Sequence, residues 1–141
     1  MATKADFSEE EWKTMQKGVT GAGMLVSVSD KDFTDSFGEA SALAKYLGRQ
    51  RDEGASELIK ELAHAKGTGF GLTDSRQEVE TETLDALHSS VATLAAKAPD
   101  EVASYRALVL GVATSVAEAK GGITEVESAT ITKLEDALGA S

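Results

Sequence analysis

Glu9-Glu10-Glu11-Trp12-Lys13-Thr14-Met15-Gln16-Lys17-Gly18-Val19-Thr20-Gly21-Ala22-Gly23-Met24-Leu25-Val26 carries its apolar residues at Trp12, Met15, Val19, Ala22 and Val26, in alternating steps of three and four. Such steps keep the side chains on one face of an α-helix, whereas a half-buried strand needs a period of two. Just ahead, Ser8 and Glu11 fit a capping box, in which a hydroxyl and a carboxylate three residues on satisfy orphan N–H groups reciprocally. Gly18, Gly21 and Ala22 lie inside the helix, where each interior glycine costs about 1 kcal/mol against alanine. Small residues kept at that cost predict close approach by a neighbouring helix.

The same pattern recurs along the chain. Leu84, Leu87, Val91, Leu94 and Ala98 form a second long stripe, and Val102, Tyr105, Val109, Val112 and Val116 a third. Shorter stripes run from Phe37 to Leu47, from Leu58 to Ala63 and from Val126 to Leu138. Further capping boxes begin at Ser36, Ser75 and Thr124, with Glu39, Glu78 and Glu127 as their acids. Pro99 precedes Asp100 and Glu101, as a first-turn proline followed by dipole-complementing acids should. A helix is expected roughly from Glu53 to Lys66, ending before Gly67-Thr68-Gly69-Phe70-Gly71. No segment alternates with period two. The expectation is one all-α domain over residues 1–141, a compact bundle of about six helices.

Composition narrows the function. Hydrophobic residues make up 41% and charged residues 27%, a globular rather than a disordered balance. With one Pro in 141 residues, long helices are not interrupted. The formal net charge of -10 repels phosphate backbones and anionic lipids, so nucleic acid is excluded as an expected partner and cations or a basic protein face are favoured. Absence of cysteine removes disulfides, thiol catalysis and thiolate metal sites. Met1-Ala2-Thr3-Lys4-Ala5-Asp6 lacks the apolar run of a secretion signal, and no apolar stretch approaches the length of a membrane span. A cytoplasmic protein is expected.

Both ends of the chain share an outline: a glycine-containing long helix, a polar turn, then a capped helix carrying Glu39 or Glu127. This predicts a pseudo-twofold repeat of helix–turn–helix units. The second turn, Val116-Ala117-Glu118-Ala119-Lys120-Gly121-Gly122-Ile123-Thr124-Glu125-Val126-Glu127, resembles that of the tellurite-resistance TerB-like proteins. In that family a helix ends in Ala-Asp-Gly, followed by a short turn, an apolar residue, Ser or Thr, and a Glu three further on. Gly121, Ile123, Thr124 and Glu127 match, while Lys120 stands where the family has Asp. The first unit keeps the acid as Asp30, has Lys31 in place of the glycine, and has a turn two residues longer. The resemblance covers about half the chain. It implies an all-helical fold, a role in bacterial stress or chemical defence, and a divalent-cation site built from acids at the turns. With Lys120 in the second turn, the implied ligands are Asp30, Asp32, Asp35 and Glu39, and the implied cation Ca2+ or Mg2+.

Read from the residues alone, Asp30 closes the Trp12–Val26 face and must be solvated, hydrogen-bonded as a turn cap, or bound to a cation. The acids from Asp30 to Glu39 are not an EF-hand, because Glu39 falls at the tenth position where a twelfth is required. Glu61-Leu62-Ala63-His64 and Asp85-Ala86-Leu87-His88 have the acid-to-histidine spacing of di-iron bundles. His64, however, points away from the apolar face of Leu58, Ile59, Leu62 and Ala63, and His88 only flanks its own. The stretch Gly67–Gly71 follows no strand and precedes no Lys-Ser/Thr, so it is read as a connection rather than a phosphate loop. No serine has a nucleophile-elbow context. The functional expectation is a non-enzymatic binding or scaffold module with a protein partner or self-association. A metal-dependent carboxylate/histidine enzyme and a purely structural homo-oligomeric subunit are the alternatives.

Overall fold

The apolar stripes become helices in chain order: α1 (Glu9–Ser29), α2 (Ser36–Glu53), α3 (Glu57–Leu62), α4 (Arg76–Lys97), α5 (Val102–Glu118) and α6 (Glu125–Ala137). Short 3-10 turns at Lys4–Asp6 and Pro99–Glu101 lead into α1 and α5. This computed structural model describes residues 3–29, 36–54, 56–64, 76–118 and 125–139, with the side chains of 27–29, 36–42, 76 and 125–127 outside the described set. Among the described residues there is no strand.

The α1 stripe is inward throughout, with Met15, Val19, Ala22 and Val26 wholly buried and Trp12 5% exposed. α5 touches each of the other five helices. It buries a wide face made of Tyr105, Leu108, Val109, Val112, Ala113, Val116 and Ala117. Each such aliphatic side chain contributes roughly 1.5–3 kcal/mol on leaving water, which makes α5 the centre of the core. α1 packs most extensively on α4 and next on α5.

The packing reason expected for the α1 glycines is found at Gly18, where an added Cβ would run into the Tyr105 hydroxyl and sit 2.8 Å from Leu87 Cδ2. A second phenol, Tyr46 of α2, lies against Gly111 of α5 in the same way. The two tyrosines of the chain thus each fill a glycine notch on a neighbouring helix.

Two expectations are corrected. The helix placed from Glu53 to Lys66 is shorter: Glu53 ends α2, Ser56 caps α3, and α3 stops at Leu62. The Ser56 hydroxyl accepts from Ile59 N–H (3.3 Å) and donates to Glu101 (2.6 Å), so the true start is fixed by a cap that also ties α3 to the Pro99 turn. Arg51 Nε donates to Ala63 O at 3.0 Å and closes the other end. The inward face of α4 is also broader than its aliphatic stripe. Thr83 and Ser90 are buried with Val79, Ala86, Leu87 and Leu94, while Leu84 and Val91 are only partly buried.

Candidate functional site

Residues Ser8 and Glu11 form the capping box read from the sequence: Ser8 N–H donates to Glu11 Oε1 (2.8 Å) and Glu11 N–H to Ser8 Oγ (3.1 Å). Lys97 of α4 donates to the same carboxylate oxygen at 2.7 Å. The Lys97 hydrogen bond first, and then the Ser8 N–H, lower the Glu11 pKa below the ordinary carboxylate value. This cap fixes where α1 begins and therefore where the preceding 3-10 turn lies.

That turn is closed by Asp6, which accepts from Thr3 N–H through Oδ2 (2.8 Å) and donates its own N–H to Thr3 O (3.0 Å). It crosses to the end of α3, where Lys4 N–H donates to Glu61 Oε2 at 3.2 Å. Between the turn, the first residues of α1 and the end of α3 lies an open groove of about 730 Å³, with Trp12, Gln16, Glu9, Glu61 and His64 among its lining residues. Lys4 Nζ stands 5.6 Å from the Trp12 ring centroid, within the usual reach of a cation–π contact. Phe7 packs on Trp12 with ring centroids 6.4 Å apart, tilted by 41°. Lys97 Nζ lies 5.7 Å from the Phe7 ring, so a lysine attends each ring of the pair.

The groove has in its wall the Trp12 ring, 5% exposed with Lys4 over it, and carboxylates at its edge. Ser8, the hydroxyl nearest those acids in sequence, is engaged as the α1 cap.

The sequence-predicted ligands Asp30, Asp32 and Asp35 lie outside the described residues, and Glu39 lies near the start of α2 with its side chain outside them. Lys120, Gly121, Ile123 and Thr124, the Gly67–Gly71 stretch, and the caps at Ser75 and Thr124 are likewise outside. Of the two acid–histidine pairs, His64 is exposed, as its direction from the apolar face predicted, and shares the groove with Glu61. His88 and Asp85 are both exposed on α4. Among the described residues, no three His, Asp or Glu side chains gather where they could hold a metal ion.

The groove itself was missed in the sequence. Trp12 read as an ordinary core position, and helical periodicity is blind to a non-helical turn folding back over it. The available signal was compositional: a lysine and two aromatics, Lys4, Phe7 and Trp12, close together in a chain with 5% aromatics.

Comparison with protein-family models, with curated proteins and with solved structures gave no match to this chain.

Proposed function

We propose that the chain is a non-enzymatic helical binding or scaffold module of the TerB-like type, acting in the cytoplasm in stress or tellurite-resistance systems. In this reading α1–α2 and α5–α6 are its two pseudo-repeated units, and a divalent cation, Ca2+ or Mg2+, is sensed by Asp30, Asp32, Asp35 and Glu39. Its support is the turn resemblance Gly121, Ile123, Thr124 and Glu127, together with the acid retained at Asp30.

The observation that carries the non-enzymatic part is the chemistry of the interior. Among the described residues the buried polar side chains are Thr20, Thr83, Ser90 and Thr130, with the Tyr105 phenol, and no carboxylate or imidazole is among them. Acid–base catalysis relies on such groups, tuned by burial or close charge within a cleft. The carboxylate lowered here, Glu11, is tuned by a surface cap and a lysine. A strongly acidic exterior around an interior of aliphatics and hydroxyls suits recognition of a basic protein face.

Metal analysis and an absorption spectrum after aerobic purification test this reading against the carboxylate-metal alternative. The expected protein is colourless and free of stoichiometric iron. Iron at one or two equivalents, with visible absorption, would overturn it.

A further inference from the structure

We propose that the Trp12 groove is a receptor for an arginine-bearing basic peptide segment, and that Lys4 covers its Trp12 wall in the free protein as an intramolecular stand-in. The proposal rests on the binding-module reading and names the partner chemistry of that module.

The groove already displays its preferred guest. An ammonium group, Lys4 Nζ, lies 5.6 Å from the centroid of the Trp12 ring, and the same residue's N–H is held by Glu61 at 3.2 Å. The Glu61 bond is to the Lys4 backbone N–H rather than to its ammonium, so the ring and the carboxylates of Glu9 and Glu61 on the lining are the elements a cation would meet. The stand-in is weakly held. Lys4 is exposed, so its ring contact and its bond to Glu61 compete with water. The turn carrying it is three residues long, Lys4–Asp6, and is tied to α3 through that Glu61 bond.

With Lys4 on its lining, the groove keeps about 730 Å³ open, room for several residues of an extended chain. With Lys4 displaced, Glu9 and Glu61 are the formal charges left on the lining, in a protein whose net charge is -10. An anionic guest is thereby disfavoured and a cationic one drawn in. Arginine is favoured over lysine because its planar guanidinium stacks on an indole and its several N–H donors suit carboxylates such as Glu9 and Glu61 on the lining.

Trp12 is the single tryptophan of the chain, so its emission reports this groove alone. The test titrates the full chain with a short capped peptide carrying two arginines flanked by glycine and serine, and with a glutamine counterpart. The arginine peptide should change Trp12 emission saturably and the glutamine peptide should not. Lys4→Ala should bind the arginine peptide several-fold tighter, and Glu61→Gln several-fold more weakly. Lys13→Ala and Glu57→Gln, exposed positions off the groove, make the same changes in net charge and should leave affinity within twofold of the parent. Equal effects of Lys4→Ala and Lys13→Ala, and of Glu61→Gln and Glu57→Gln, would overturn the proposal in favour of diffuse attraction. An iron-free protein whose Trp12 emission ignores the peptide overturns the proposal while leaving the non-enzymatic reading intact. An iron-loaded protein that still binds the peptide at Trp12 supports the proposal and overturns that reading instead.

Discussion

The hydroxyl of Tyr105 occupies the space in which Gly18 would carry a Cβ, and from there it donates to Met15 O at 2.8 Å. Tyr105 belongs to α5 and Gly18 to α1, so the missing side chain of one helix makes room for the polar tip of another. Tyr105 is fully buried, and the Ser90 hydroxyl of α4 faces its phenol. Three helices therefore meet at one phenol.

Gly18→Ala should destabilise the fold. Helix propensity alone would favour alanine by about 1 kcal/mol, but the new methyl meets the Tyr105 hydroxyl and Leu87. Overpacking of this kind costs roughly 1–3 kcal/mol. Chemical denaturation of Gly18→Ala, Tyr105→Phe and the double variant checks it. The double variant should recover part of the loss, because removing the hydroxyl clears the main obstruction. Simple additivity of the two single effects would show that they do not share the notch.

At alkaline pH the two tyrosines should resist ionisation. Burial raises the pKa of Tyr105 strongly, with Ser90 offsetting a little, and burial also raises Tyr46, offset partly by Arg49. A phenol whose folded pKa is raised contributes stability that is full below the unfolded value of about 10 and declines as pH climbs above it. Tyrosinate absorbance should therefore appear together with loss of helical circular dichroism. Ionisation of both phenols, the fully buried Tyr105 included, while the helices stay intact would contradict this burial.

Thr83→Val should stabilise the protein. Thr83 is fully buried and, among the described residues, its Oγ1 has no hydrogen-bond partner. Replacing that hydroxyl by a methyl of similar shape removes a desolvation cost of about 1 kcal/mol or more. Ser90→Ala is the contrasting case, since Ser90 Oγ donates to Ala86 O at 2.6 Å and also meets Tyr105. Thermal melting should move upward for the first and downward for the second.

In acid the Glu11 cap should fail as its carboxylate is protonated. Lys97 and then Ser8 hold its folded pKa below the unfolded one. Its contribution is thus complete above the ordinary carboxylate range and is lost as pH falls through the lowered folded value. Glu11→Gln should flatten that portion of the stability–pH curve, and Lys97→Met should bring the Glu11 titration, followed by NMR, back toward the ordinary value. An unmoved titration would mean the ion pair does not form in solution.

Divalent cations should raise the melting temperature if the acids of the first turn bind them, because a ligand taken up by the folded state alone stabilises it by mass action. At constant ionic strength, millimolar Ca2+ or Mg2+ should shift the transition of the parent and of Glu118→Gln, whose substitution lies at the end of α5. Asp30→Asn should abolish the shift. A parent transition indifferent to both ions would leave Asp30 as a turn cap.

What the sequence determined by itself was whatever depends on near neighbours along the chain. The α1 face, its start at Ser8 and Glu11, the proline opening the turn before α5, and the exposure of His64 all follow from spacings of three and four residues. The six helices and the absence of strand among the described residues follow too, because each stripe had to bury one face and none had a strand's period. Tertiary structure alone decided which faces meet. No local pattern joins Tyr105 to Gly18, Tyr46 to Gly111 or Ser56 to Glu101, and each pairing fixes how closely two helices lie. The same holds for the buried polar positions on α4: Thr83 and Ser90 lie outside its aliphatic stripe, yet both are buried where α4 packs into the bundle, chiefly against α1. The groove belongs with these. Lys4 reaches Trp12 and Glu61 only because a short turn folds back across the ends of two helices distant in sequence, and contacts made across such a distance leave no periodic trace.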